Sequence, residues 1–404
     1  MVPAFAVTML GINLTVLGAA MQTFAPGGTL KLGIVADVHL DQAFTWAGPE
    51  IGRRLRQAIR DALRSAVQFA ADADVDAFCV AGDLYEDDRY AADTPEFLWS
   101  LFAGLSPKPV LLAPGNHDFA GPMSPYRTVD WTPNVHVFLE PVLSAYQLAA
   151  GVTVWGAGHD RPAYTPGFFD TGFRVLGGGL HVALFHGAER AWLPFQGKDK
   201  QPHAPFDERQ VAAAGLAHAF VGHYHQPRDD GLITYPGNLE QLTFGEKGER
   251  GLVIALLADD GSVITRRHVL SRVGMYDVEV NADGCRTVDE VRGRLAAALA
   301  GLPKDGPVRV ARVTVVGEAA GDLDITGADL TTVPHDLDAL VLHAVRLRAA
   351  DNLEQIADEP TVRGEFVRMV RAAADLDDDD RELVLIAGLR ALGGRGDLQV
   401  VQGT

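Results

Sequence analysis

The chain has 404 residues, 47% hydrophobic and 22% charged, with a formal net charge of -18. This composition excludes a disordered polyelectrolyte and allows one large core with a smaller appended unit. The acidic balance argues against a protein that coats nucleic acid through a general basic surface, although bound cations and a local basic patch can still receive phosphate.

In chain order, residues 1–29 come first and contain no Lys or Arg. The charged start of a secretory signal is therefore missing. Polar, Gly and Pro residues interrupt the segment before it reaches the run of about 18 apolar residues that a membrane span needs. It reads as an N-terminal extension, with a start nearer Met21 as the preferred account. Leu32–Ala36 is then an apolar run leading into Asp37 and His39, the pattern of a buried strand. A helix is predicted over about Gly52–Ala71, where Leu55, Ile59, Leu63 and Val67 make one apolar face. A strand at Ala77–Ala81, a helix at about Pro95–Phe102 and a strand at Pro109–Ala113 continue an alternation that implies parallel pairing.

The chain then turns strand-rich: Val135–Phe138, Val152–Trp155, Leu180–Phe185, Ala217–Val221, Leu232–Tyr235 and a hairpin near Leu252–Arg267. An α/β start with a β-rich continuation predicts a four-layer α/β/β/α sandwich. The long loop between Pro162 and Gly179 is expected to edge the cleft. Beyond Ser271, strands at Tyr276–Val280 and Val308–Val316 flank a helix at Val288–Ala300. A helical tail follows from about Leu353, interrupted by the acidic run Asp377–Asp380, read as a solvated loop. The expected units are 30–271 and a smaller α+β unit over 272–404.

Five short segments each follow a predicted strand. They are Asp37-Val38-His39, Gly82-Asp83, Gly115-Asn116-His117-Asp118, His186-Gly187 and Gly222-His223-Tyr224-His225. Strand ends are where open α/β sheets assemble sites, and residues two apart on a strand point to the same side. Glycines beside them let the backbone turn and approach a small ion. Carboxylates, an amide and imidazoles without thiolate suit Mn²⁺, Fe or Zn²⁺. An Asp between two ions about 3.5–4 Å apart can bridge them, and water on such an ion is acidic enough to supply a nucleophile at neutral pH. Singly, each motif is an ordinary short pattern; their joint order is the signal.

That ordered set resembles the calcineurin-like metallophosphoesterases over about Leu30 to His268. The resemblance implies a first metal held by Asp37, His39, Asp83 and His225, and a second by Asp83, Asn116, His186 and His223. Asp83 would bridge. His117 would stand off the metals and protonate the leaving oxygen, or stabilise charge on the phosphoryl group, with Asp118 orienting its ring. Within the superfamily, Ala36-Asp37-Val38-His39-Leu40-Asp41, Gly82-Asp83-Leu84-Tyr85, the tail Tyr235-Pro236-Gly237-Asn238-Leu239-Glu240-Gln241, and Phe244-Gly245-Glu246 with Lys247-Gly248 are similar to the SbcD-like DNA repair exonucleases. Glu359-Pro360-Thr361-Val362-Arg363-Gly364 adds to this likeness. It implies two Mn²⁺ ions, DNA as substrate, an SMC-like ATPase partner, a homodimer and a C-terminal region that caps the site or binds the ATPase. One departure stands out: Glu86 occupies a position where some repair nucleases carry a further His.

Arg53, Arg54, Arg56, Arg60 and Arg64 cluster on the first helix and offer a phosphate-backbone contact, against the plainer reading of a solvated face or one that pairs with acidic neighbours. Tyr126, Trp131, Trp155, Tyr164, Phe168, Phe169 and Trp192 are read mostly as core rather than base-stacking platforms. His136, His159, His181, His203 and His218 stay outside the ligand set. Cys79 and Cys285, far apart and outside any C-x-x-C pattern, suggest neither disulfide nor zinc site and fit a reducing cytoplasm, with no membrane association.

Overall fold

A computed structural model describes residues 29–163, 165–195, 202–319, 325, 327–349 and 353–392. The expected N-terminal extension falls, apart from Thr29, outside them. The first half alternates as predicted: β1 (Leu30–Val35), α1 (Pro49–Asp72), β2 (Ala77–Val80), α2 (Thr94–Ala103), β3 (Val110–Leu112), the short α3 (Pro125–Thr128) and β4 (Val135–Val137). Pro49 opens α1, where its missing N–H and fixed φ cost nothing. The predicted face Leu55, Ile59, Leu63 and Val67 is buried together with Ala58, Ala62, Ala66 and Ala70. Fully burying each of the larger of these contributes about 1.5–3 kcal/mol.

Next come β5 (Ser144–Ala149), β6 (Val152–Gly156), β7 (Leu180–His186), α4 (Glu208–Ala213), β8 (His218–Gly222), β9 (Arg228–Asp230), β10 (Ile233–Tyr235), β11 (Gly251–Leu257) and β12 (Val263–Val269). Strands β5 and β9 are absent from the sequence reading. The described strands of this region form two six-stranded sheets, ordered β12-β11-β1-β2-β3-β4 and β5-β6-β7-β8-β10-β9. Strands β1 to β4 run parallel, as do β6, β7, β8 and β10, with antiparallel pairs at the remaining edges. Leu32, Ile34, Cys79 and Leu111 of one sheet meet Val154, Val182, Leu184 and Phe220 of the other in a single apolar layer. The outer face of the first sheet packs on α1 and α2, and that of the second on α4 and the loop carrying Phe168 and Phe169. Those layers make the expected α/β/β/α sandwich. Burial on both faces is why the central strands read as continuous apolar runs.

The C-terminal region holds β13 (Gly274–Asn281), α5 (Val288–Ala300), β14 (Arg309–Ala319), α6 (Gly327–Thr331) and β15 (Ala339–Ala349), followed by α7 (Leu353–Ala357), α8 (Val362–Ala372) and α9 (Asp378–Leu392). Its three strands are parallel, so α5 and α6 sit on crossover connections. Thr287 and Glu290 form a capping box at the start of α5. The acidic run is not a free loop: Asp378, Asp379 and Asp380 occupy the first turn of α9, where the helix dipole favours negative charge. Val273, Met275, Val308 and Val310 join the same apolar cluster as α1 and α2, so this unit packs directly on the sandwich. No helix among the described residues is long and apolar enough to cross a membrane.

His218, at the start of β8, is buried and bonded through Nε2 to the Thr234 hydroxyl at 3.0 Å. Burial pushes its pKa down from 6.5 to about 4. Between those values the unfolded chain binds a proton that the folded chain refuses, so this contribution is complete above the unfolded value and is lost as pH falls. The loss amounts to about 2–3 kcal/mol at the acid end. Urea midpoints measured across this range should fall less steeply in His218→Gln; an unchanged slope would refute the assignment.

Candidate metal centre

The C-terminal ends of β1, β2, β3, β7 and β8 converge, and each delivers one or two of the predicted ligands. Asp37 and His39 follow β1, Asp83 follows β2, Asn116 follows β3, His186 ends β7, and His223 and His225 follow β8. Four of these residues have left-handed backbone: Asp37 at φ 48°, His39 at 51°, Asp83 at 51° and His223 at 112°. Such conformations cost a non-glycine residue about 1–3 kcal/mol each unless neighbours fix them. Here they do. The Asp37 N–H donates to the Gly82 carbonyl at 3.0 Å, the His39 N–H to the Asp83 carbonyl at 2.9 Å, and the His223 N–H to the Asp37 carboxylate at 2.9 Å. Two glycines make the close approach possible. A Cβ on Gly115 would lie 2.2 Å from Asp83 Oδ1, and one on Gly222 would lie 2.0 Å from the Ala81 carbonyl oxygen.

The side chains then gather. One ligand atom each from Asp37, His39 and His225 lie within 4.8 Å of one another, as do those of Asp37, Asp83 and His186. Asp83 Oδ2 faces both groups, 3.6 Å from His39 Nε2 and 3.3 Å from His186 Nε2. The His223 ring stands edge-on to that of His186 with centroids 5.2 Å apart. His39 Nε2, His186 Nε2 and Asn116 Oδ1 are buried without a hydrogen-bond partner. Buried polar atoms left unpaired are costly, so their convergence fits cations as the missing partners.

The opposite ring nitrogens are occupied. Nδ1 of His39 bonds Glu86 at 2.7 Å, Nδ1 of His186 bonds the Ala81 carbonyl at 3.1 Å, and Nδ1 of His225 bonds Glu246 at 2.9 Å. Each acceptor takes the Nδ1 proton and leaves Nε2 as a lone-pair donor, the usual arrangement behind a metal-bound imidazole. Asp37, His39, Asp83 and His225 would hold one divalent ion; Asp83, Asn116, His186 and His223 would hold the other.

Charge is distributed to match. Burial opposes ionisation of Asp83, but His186 and His39 outweigh it and hold the carboxyl well below the usual range. Glu86 is likewise resisted by burial and then drawn down to about 2 by hydrogen bonds from His117 and His39. The His117 ring is raised to about 9, first by its bond to Glu86, so it carries a proton at neutral pH. This corrects the expected role of Asp118. His117 Nδ1 is held by Glu86 Oε2 at 3.0 Å. Asp118, fully buried, accepts instead from the backbone N–H groups of Asp83, Leu84 and Gly115 and from the Tyr126 hydroxyl. It fastens the loop after β2 to the loop after β3. The departure at Glu86 is thus a carboxylate shared by a ligand and the acid candidate.

Residues 30–227 match the calcineurin-like phosphoesterase family. The chain carries a calcineurin-like phosphoesterase domain. It is accordingly a metal-dependent hydrolase of phosphoester bonds. The chain is similar in structure to TT1561 of Thermus thermophilus, at 13% identity and a TM-score of 0.34, covering 59% of this chain and 99% of that one. No curated protein matches it.

The other candidates around the phosphoesterase centre sort differently. Arg53 pairs with Glu50, Arg54 with Asp338, Arg60 with Asp93 and Asp41, and Arg64 with Asp61, so most of the predicted basic patch is already neutralised. Tyr126, Phe168 and Phe169 are core, as expected; Tyr164 lies outside the described residues. Trp192 packs under the Arg228 guanidinium, 4.6 Å from ring centroid to Cζ. His203, set aside on sequence grounds, sits beside the centre with its ring 5.9 Å from that of His223. Burial pushes the Cys79 thiol up to about 12, so it is unreactive. Glu86 and Glu246 were missed as partners of ligands; the only sequence signal was their place in the Gly-Asp-Leu-Tyr-Glu and Phe-Gly-Glu segments.

Proposed function

We propose that this phosphoesterase is a two-metal phosphodiesterase that hydrolyses DNA from its ends, with Mn²⁺ as its metal. The observation that carries the reading is the placement of His117. Its side chain is 47% exposed while Asp37, His39, Asp83 and His186 are buried, so a leaving oxygen that continues into a long chain can meet a proton donor at the mouth of the site. The bound ions would neutralise phosphoryl charge and activate the nucleophile. The protein's own part is to orient the ligands through Glu86, Ala81 and Glu246, and to hold a proton on His117 for the departing oxygen.

The tail after the last ligands supports a polymeric substrate. Phe244 lies two residues before Glu246, stacks near Trp46 at 5.0 Å and lies under Arg312 of β14 at 4.9 Å. Aromatic faces beside a guanidinium suit an unpaired strand. An SMC-like ATPase would dock on the last helices, where Val362, Met369 and Leu383 are exposed. Two buried free cysteines agree with a cytoplasmic setting.

A second reading, hydrolysis of small phosphodiesters, is favoured by the net charge of -18 and by the paired arginines of α1. End-labelled duplex and single-stranded DNA, incubated with Mn²⁺ beside a small chromogenic diester, separates the two. Progressive shortening of labelled DNA is the expected result. Rapid turnover of the diester with intact DNA, also in the presence of the ATPase, would overturn the nuclease reading.

A further inference from the structure

Three imidazoles of the metal centre lean on different acceptors. His186, in the second ligand set, leans on a neutral backbone carbonyl, whereas His39 and His225, in the first, each lean on an ionised carboxylate. Glu86 serves His39 and His117 together. Glu246 serves His225 alone among the imidazoles, and the surroundings of Glu246 are built to keep it there.

Its Oε1 accepts from His225 Nδ1 at 2.9 Å, while Oε2 accepts from Asn238 Nδ2 at 2.8 Å and from the Leu242 N–H at 3.0 Å. The backbone is fixed as well. The Glu246 carbonyl accepts from Gln241 Nε2 at 2.9 Å, and Gln241 Oε1 accepts from the Met275 N–H at 2.9 Å in β13. Arg250, only 2% exposed, donates to the carbonyl of His225 at 2.6 Å and to that of Lys247 at 2.9 Å. The ring and the backbone of one ligand are therefore held by a single folded segment, 238–250, which is itself pinned to the C-terminal sheet.

We propose that Glu246 is a positioning residue that strengthens the first metal site, by fixing the tautomer and raising the donor strength of His225. A carboxylate behind an imidazole raises its basicity, and removing such a partner typically costs about 10- to 100-fold in metal affinity. The inference rests on the two-ion reading of the centre. It assigns no contact between Glu246 and substrate or ion.

The test is calorimetric titration of metal-free full-length protein with Mn²⁺, with bound metal counted independently by elemental analysis. Wild type should bind two ions. Glu246→Gln keeps the shape but removes the charge and leaves one acceptor oxygen where two carboxylate oxygens accepted; it should weaken one site by about 10- to 100-fold and leave the other unchanged. In an Asn116→Ala background, which lacks a second-site ligand, the same change should eliminate the remaining ion. Thermal melting of the metal-free variant reports whether it folds. If Glu246→Gln does not fold, Glu246→Asp retains the charge, withdraws it from His225 and is held to the same criterion. Wild-type affinity at both sites overturns the proposal, and so does an equal fall at both, which marks a general structural role. A wild type that binds fewer than two ions overturns the two-ion reading itself, so the two failures are distinguishable.

Discussion

Replacing Asp83 with Asn is expected to reduce hydrolysis by about three orders of magnitude or more and to lower the bound metal below two ions per chain. Asp83 is the carboxylate that faces both ligand sets, through the same oxygen that approaches His39 and His186. Its other oxygen accepts from the His117 N–H at 2.9 Å, which sets the start of the acid-bearing loop. Asparagine can preserve that second bond through its own oxygen, so the loop should stay in place while the charge between the ions is lost. Elemental analysis combined with turnover of a small diester checks the outcome. Near-normal turnover with two ions bound would show that the bridging role is wrong.

Removing His117 should have the next largest effect, with a different signature. His117→Ala is expected to lower kcat by about 10²- to 10⁴-fold with two ions still bound, because the ring lies beside the ligands and is not one of them. The loss should shrink sharply with a leaving group such as p-nitrophenolate, which departs without a proton. The pH dependence has a definite sign. Glu86 holds the ring's pKa up at about 9, so the acid form is present at neutral pH and activity declines as pH rises. Cations bound nearby oppose the proton and draw this limb downward. Glu86→Gln should lower the limb further and reduce kcat by about tenfold, since a protonated imidazole loses its charged partner. A His117 variant with equal losses on good and poor leaving groups would rule out proton donation.

The candidate ligand set was legible because its members follow apolar runs, four of them (Asp83, Asn116, His186 and His223) next to a glycine, and strand direction brings such positions together. The sandwich was legible for the same reason. What the sequence hid was contact between remote side chains. Glu86 and Glu246 act on rings supplied by other segments, and nothing in their local pattern names the partner. The ring-orienting role of Asp118 came from the family resemblance; here its side chain turns inward to three N–H groups and a tyrosine. Strand β9, with the polar sequence Arg-Asp-Asp, exists through its pairing with β10 and carries no apolar signal of its own. The arginines of α1 looked available until Asp338, Asp93 and Asp41 were seen beside them.

The left-handed backbone at Asp37, His39, Asp83 and His223 has an evolutionary consequence. At these positions the chain prefers glycine or asparagine to the residue that catalysis requires. Substitutions that disable the centre can therefore raise the melting temperature of the metal-free protein, and a lineage released from selection for hydrolysis would drift toward glycine there first. Aspartate and histidine at these four points are thus held by hydrogen bonds from neighbouring segments and not by their own backbone preference.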